Sequence, residues 1–156
     1  MRILVLAVGS RQPGWVGEAF SEYVTRLPPD WALTLKEIKP EARTLGRTVP
    51  QMLMAEASRI RQAIPPRAKV VALDERGERK TSEALSRFLI DSQEATQDLV
   101  FLIGGADGLC ETLRAQAQTL LRLSDMTLPH GMVRVILAEQ VYRAWSIAVG
   151  HPYHRA

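Results

Sequence analysis

Residues 123–156 read LSDMTLPHGMVRVILAEQVYRAWSIAVGHPYHRA, and we expect the rest of the chain to be organised around this stretch. It joins a short turn, a long apolar helix and a tail with two histidines, a tyrosine and an arginine. Chain ends are normally polar and poorly ordered unless something holds them in place. Here Gly150 ends the predicted helix and HPYHR follows at once, so we interpret the tail as part of a functional site.

The composition is that of one ordinary globular domain spanning residues 1–156. The net charge of +3 is compatible with a polyanionic partner but does not require one. The single cysteine, Cys110, cannot form an internal disulfide, which favours a reducing compartment. The apolar run at residues 3–8 is too short for a signal peptide or a membrane span, so we expect a cytoplasmic protein without a membrane partner.

Upstream of this stretch, apolar strand patterns alternate with helical patterns. Strands are predicted at residues 2–8, 31–38, 69–73 and 99–103, and helices after Pro13, at 48–64, at 81–92 and at 109–121. Residues 74–80 read as a charged turn, 124–128 as a short strand or extended turn, and Pro129 begins the last helix. This alternation predicts an α/β fold with a mostly parallel sheet and helices on both faces.

Ligands of open α/β sheets bind beyond the carboxyl ends of the strands. Three such ends are of interest: Leu73 with Asp74, Gly104 with Gly105, and the segment 123–128. Glycines that follow a strand allow a ligand to approach the backbone. The sequence GGADG matches neither the dinucleotide nor the phosphate-loop spacing, so a tight turn and a ligand loop are about equally good interpretations.

The final helix is apolar on most of its circumference, with Glu139, Arg143 and Ser146 on one narrow polar stripe. Core burial explains one apolar side, and a second copy of the chain would cover the other. Arg134 lies among apolar residues and needs a partner if it is buried. Glu139 and Arg143 have the spacing of an ordinary helix salt bridge.

The three histidines, His130, His151 and His154, do not have a metal-binding spacing, and we predict no metal site. By default each is a surface or hydrogen-bonded residue. The aromatic side chains of the last helix and tail could stack on bases, but at helical spacing they are more often core.

Five segments of the chain read LAVG (6–9), VVALDERGE (70–78), LIGGADGL (102–109), LSDMTLPH (123–130) and RVILAEQVYRAWSI followed by HPYHR (134–147, 151–155). With these segments the chain resembles, over its whole length, the bacterial 23S rRNA pseudouridine N3-methyltransferases of the SPOUT superfamily. The last two segments are highly specific in combination. The role of Asp107 within the glycine loop stays open.

This resemblance implies a homodimer with a C-terminal trefoil knot that binds S-adenosylmethionine. It further implies methylation of N3 of a pseudouridine in a 23S rRNA stem-loop, on the large subunit or the whole ribosome. The residues that would line the cofactor pocket are Leu73, Gly104, Gly105, Leu123, Ser124, Asp125, Met126, Thr127 and Leu128.

Methyl transfer to N3 requires that the base lose a proton. His130, His154 or solvent could accept it, and Arg143 or Arg155 could stabilise the developing anion. The rival interpretation is a non-catalytic RNA- or ribosome-binding factor on the same fold. A nucleotide-binding enzyme is disfavoured because both phosphate-loop spacings are missing.

Overall fold

The structure, a computed structural model, describes residues 1–44 and 46–155. The predicted loop at 40–47 and the tail each include one residue outside this range, Leu45 and Ala156. The strands are β1 (Arg2–Val8), β2 (Ala32–Ile38), β3 (Lys69–Arg79), β4 (Leu99–Ile103) and β5 (Thr119–Arg122). The helices are α1 (Gly14–Val24), α2 (Val49–Ala63), α3 (Ser82–Glu94), α4 (Glu111–Gln116) and α5 (His130–Val149).

The five strands form one sheet in the order β2-β1-β4-β3-β5, and all neighbouring pairs are parallel. Alternate residues of each strand point to opposite faces. On one face Ile3, Val5 and Phe101 pack with α1, α3 and α5, and on the other Leu6 and Leu102 pack with α2 and α4. The predicted α/β class, the parallel sheet and the two helical layers are therefore confirmed.

The ends of the helices follow the predicted sequence signals. Thr48 begins α2 with a capping box, in which Gln51 N–H donates to Thr48 Oγ1 over 3.3 Å and Thr48 N–H donates to Gln51 Oε1 over 2.9 Å. Thr81 caps α3, with its Oγ1 accepting from Ala84 N–H over 3.1 Å. Gly150 ends α5 in the left-handed conformation with φ of 70°, which a glycine adopts without strain.

The predicted helix at 109–121 is wrong in its second half, because α4 ends at Gln116 and β5 follows. No glycine or proline separates the two elements, so the sequence reads as one helix. Gln118 separates α4 from β5. Its side-chain oxygen accepts from Val70 N–H over 2.7 Å and its own N–H donates to Val70 O over 3.0 Å, which aligns the next residues with β3.

The predicted charged turn at 74–80 is also wrong, because β3 continues to Arg79. Leu121 of β5 pairs with both Leu73 and Glu78, so the residues between these two leave the ladder and return to it. Gly77 makes this return possible. A Cβ atom at Gly77 would lie only 2.6 Å from the backbone carbon of Leu121.

No helix in the described ranges has both the length and the hydropathy needed to cross a membrane.

We predict that Gly77→Ala lowers the free energy of unfolding by about 1–3 kcal/mol, because β5 must move away from the added methyl group. Gly17→Ala is the matched control. It lies on the exposed side of α1 with no atom within 4 Å of an added Cβ, and should stabilise the protein by about 0.5–1 kcal/mol. Urea unfolding of both variants measures the two effects. Equal stability of Gly77→Ala and the parent chain would contradict the close approach of β5.

Candidate functional site

A cleft of about 1680 Å³ opens at the carboxyl ends of the strands. Its walls come from the ends of β1, β3 and β4, from the segment that follows β5, and from the start of α5. Small-molecule pockets usually measure about 300–1,000 Å³. The cleft can therefore hold a cofactor and still leave room for part of a larger substrate.

All nine residues that the sequence analysis assigns to a cofactor pocket line this one cleft: Leu73, Gly104, Gly105, Leu123, Ser124, Asp125, Met126, Thr127 and Leu128. They come from three segments that are far apart in the sequence. The parallel sheet brings them together because it places these strand ends side by side. Their role in binding stays a prediction.

The glycine loop after β4 is a tight turn that also lines the cleft. Gly108 N–H donates to Gly105 O over 3.1 Å, and Gly108 has a φ of 77°. A Cβ atom at Gly104 would lie 2.5 Å from the carbonyl carbon of Gly108. The turn needs its glycines, which supports the tight-turn interpretation of GGADG. The loop also lines the cleft, and its role as a ligand loop stays a prediction.

Polar contacts fix the segment 123–128 against β3 and β5. Ser124 Oγ accepts from Met126 N–H over 2.9 Å, and Asp125 pairs with Arg79 and Arg122 over 3.0 and 3.1 Å. Met126 is left 79% exposed in the wall of the cleft.

An ion-pair chain fixes the other rim of the cleft and gives Asp107 a structural role. Arg43, in the segment after β2, pairs with Asp107 over 3.0 Å and with the buried Glu56 of α2 over 3.4 Å. Glu56 also accepts from Glu41 N–H over 2.8 Å. The segment after β2 is thereby held against the glycine loop. No sequence pattern pointed to Arg43.

Arg134, which is 2% exposed, lies behind the cleft on α5 and has the partners that its burial requires. Its guanidinium pairs with Glu37 at the end of β2 over 2.9 Å and donates to His130 Nε2 over 3.1 Å. A third N–H reaches Gly9 O over 3.4 Å. His130 Nδ1 lies 3.0 Å from Gly104 O. The apolar surroundings of Arg134 were the sequence signal, but they did not identify Glu37.

The electrostatic environment of His130 favours the neutral ring. Burial lowers the pKa of His130, the nearby Arg134 charge lowers it further, and the contacts with Gly104 and Glu37 oppose these effects only in part. A neutral imidazole has one N–H donor and one acceptor nitrogen.

Of the four predicted catalytic residues, His130 lines the cleft, whereas Arg143, His154 and Arg155 do not. Arg143 lies about 20 Å further along α5 than His130, at the usual helical rise. The structure therefore does not bring the four residues together within one chain.

The tail folds back onto the far end of α5. Tyr153 Oη–H donates to Glu139 over 2.9 Å, and the Arg143 guanidinium pairs with the same carboxylate over 2.7 Å and covers the Tyr153 ring. Burial and the contact with Glu139 raise the pKa of Tyr153, so its hydroxyl stays protonated. Nδ1 of His154 is buried without a hydrogen-bond partner in the described ranges. Within those ranges, no group of three His, Cys, Asp or Glu side chains could hold a metal ion.

Comparison with known proteins identifies relatives over the full length of the chain. The sequence profile described as predicted SPOUT methyltransferase matches residues 1–154. Ribosomal RNA large subunit methyltransferase H of Bordetella pertussis is 56% identical over 156 residues, 100% of both chains. The protein of that name from Ralstonia pickettii is 53% identical over 155 residues, 99% of both chains.

Solved structures share the fold at much lower identity. A probable methylase family protein from Haemophilus influenzae Rd KW20 has a TM-score of 0.60 at 10% identity, covering 99% of this chain and 70% of that one. A probable methyltransferase from Bordetella pertussis Tohama I has a TM-score of 0.55 at 15% identity, covering 91% and 95%. These likenesses concern the fold alone. The full-length identity and the profile match establish the family: the chain belongs to the ribosomal RNA large subunit methyltransferase H family of SPOUT methyltransferases.

Proposed function

We propose that this protein is an S-adenosylmethionine-dependent methyltransferase that acts on N3 of a pseudouridine in 23S rRNA. The convergence of all nine predicted cofactor residues on one cleft carries the proposal. The names of the full-length relatives support the same substrate class. The proposal includes a single domain, the trefoil knot, a homodimer and the cytoplasmic location that a ribosomal substrate requires.

The residues of the cleft fit S-adenosylmethionine. Its adenine ring needs apolar cover and hydrogen bonds along one edge. Leu73, Met126 and Leu128 offer the cover, and the backbone of the glycine loop offers polar groups beside them. When bound, the cofactor supplies an electrophilic methyl group. The chain's own contribution is to hold the reacting groups in line and to exclude water.

The substrate side of the site requires a second chain. Arg143, His154 and Arg155 lie outside the cleft, at the far end of α5 from His130. The outward side of α5 carries half-exposed apolar residues, among them Met132, Val135 and Ile136. An antiparallel packing of two α5 helices would cover these residues and place each tail over the partner's cleft.

In this arrangement Arg143 and Arg155 stabilise negative charge that develops on the base, and His154 or solvent accepts the N3 proton. The pairing with Glu139 raises the pKa of Arg143 and keeps its guanidinium charged. His130 is the third candidate acceptor, and both of its ring nitrogens make hydrogen bonds within the chain.

Transfer of a labelled methyl group to ribosomes tests the function. We expect label on ribosomes that contain the target pseudouridine and about background on ribosomes that lack it. Label that ignores the pseudouridine would refute the substrate while sparing the enzyme class. Calorimetry that finds no affinity for S-adenosylmethionine would favour the rival, a non-catalytic ribosome-binding factor.

We also expect ribosomes to be methylated much faster than isolated 23S rRNA. A net charge of +3 gives only a weak electrostatic attraction for free RNA, so recognition must depend on a preformed ribosomal surface. Comparing initial rates on the two substrates measures this difference. Equal rates on ribosomes and on isolated 23S rRNA would contradict recognition of a preformed ribosomal surface.

The wall that holds the cofactor can be located with two exposed methionines. Met126→Ala should weaken S-adenosylmethionine binding about tenfold, because the ligand loses an apolar contact. Met54→Ala is the matched control, since Met54 is also exposed, at 66%, but lines the cleft from α2 and not from the segment 123–128. Calorimetry gives both affinities. Equal losses would place the cofactor elsewhere in the cleft.

Subunit mixing tests the shared site. Gly105→Leu blocks the cleft of its own chain and Arg143→Ala removes the arginine that its partner's cleft would use, so each variant alone should be inactive. After both are unfolded and refolded together, half of the dimers are mixed and each has one intact site. About a quarter of the parental activity should return. Activity that stays at the level of the separate variants would contradict a site built from two chains.

A further inference from the structure

The contacts of His130 fix which of its nitrogens carries the proton. A guanidinium is always protonated and can only donate, so the Arg134 contact requires that His130 Nε2 accept through its lone pair. The carbonyl of Gly104 can only accept, so His130 Nδ1 must carry the hydrogen that lies between them. Both contacts are satisfied by one form of the ring, the neutral Nδ1–H tautomer.

This assignment leaves His130 without a free site for proton transfer. The Nε2 lone pair that a general base needs is occupied by Arg134, and the Nδ1 proton that a general acid needs is used by Gly104. Protonating Nε2 would place two cationic donors 3.1 Å apart. The ring is therefore built to hold the Gly104 carbonyl in one direction.

Glu37 completes the arrangement from the opposite side of Arg134. Its carboxylate binds Nη1 of the guanidinium over 2.9 Å, while Nε of the same guanidinium faces His130. A planar guanidinium held at both points cannot rotate without breaking one of them. Gly9 allows this close packing. A Cβ at Gly9 would come within 3.3 Å of Arg134 Nη2 and 3.4 Å of His130 Nε2.

We propose that Glu37, Arg134 and His130 form a positioning relay that orients the Gly104 carbonyl in the cofactor cleft, and that His130 is a positioning residue and not the base that accepts the N3 proton. The effect on the cofactor rests on the function proposed above. The relay itself concerns only contacts within the chain, so it can be tested separately.

Two substitutions of His130 separate the two roles. In His130→Asn the amide N–H₂ takes the place of Nδ1–H and can still donate to Gly104 O. In His130→Ala that donor is lost. A positioning role predicts that His130→Ala weakens S-adenosylmethionine binding about tenfold, the value of one buried hydrogen bond, and that His130→Asn restores most of the affinity and of kcat. A general base predicts normal cofactor binding and an equal loss of kcat in both variants, which would overturn the proposal.

The role of Glu37 in the relay is tested by comparing its ion pair with an exposed Glu–Arg ion pair on α1. Glu37→Ala removes the carboxylate of Arg134, and we expect weaker cofactor binding although Glu37 does not line the cleft. Glu22→Ala, which breaks an exposed pair with Arg26 on α1, should leave the affinity unchanged. Equal affinities for the two variants would refute the relay. A parent protein that binds no S-adenosylmethionine would refute the proposed function instead.

Nitrogen-15 NMR of the imidazole rings tests the relay without cofactor. We expect His130 to be the Nδ1–H tautomer at neutral pH, with an unprotonated, hydrogen-bonded Nε2. An Nε2–H tautomer or an imidazolium would overturn the proposal whatever the protein methylates.

Acid should weaken the relay in a predictable direction. The folded protein lowers the pKa of His130 below its ordinary value of 6.5, so on acidification the unfolded chain takes up this proton first. The neutral His130 ring therefore contributes its full stabilisation above pH 6.5, and this stabilisation is lost as the pH falls below 6.5. Arg134 and Glu37 are the charged groups that act on the ring. The unfolding free energy should therefore fall more between pH 7.5 and pH 5.5 in the parent protein than in His130→Asn. An equal fall in the two proteins would contradict the relay.

Discussion

The burial of one positive charge constrains the whole site. Arg134 is 2% exposed on an otherwise apolar helix, and a buried guanidinium is tolerated only when its donors are paired. Its partners lie at the end of β1, at the end of β2 and, through His130, at the end of β4. These contacts join the start of α5 to three strand ends and place it beside the glycine loop.

The two halves of the site are built in different ways. The half proposed for the cofactor lies within one chain, where a tight turn and ion pairs shape the walls of the cleft. A preformed cleft lowers the entropic cost of binding. The half proposed for RNA lies at the other end of α5, where Glu139 holds both Arg143 and Tyr153. Arg143, His154 and Arg155 do not line the cleft of their own chain.

Local patterns in the sequence predicted most of the fold. Strand β4 was predicted with the observed bounds, and Thr48 and Gly150 mark helix ends through chemistry that depends only on near neighbours. Strand β5 was missed because Gln118 separates it from α4 by bonding to Val70, a residue remote in sequence. The continuation of β3 past Asp74 depends on Leu121 in the same way. Such pairings are properties of the fold and leave no local signal.

The residues of the candidate site also fall into two groups, those with a local sequence signal and those without one. The residues predicted to bind the cofactor were chosen from glycines and from a family motif, and the parallel sheet brings them to one cleft. Glu37 and Arg43 were missed because nothing near them in sequence distinguishes them from surface charges. The contacts of Arg134 with Glu37 and Gly9 also span 97 and 125 residues. Contacts of such range have a large loop-closure cost, which the assembled sheet offsets, so we expect the Arg134 charge to be enclosed late in folding.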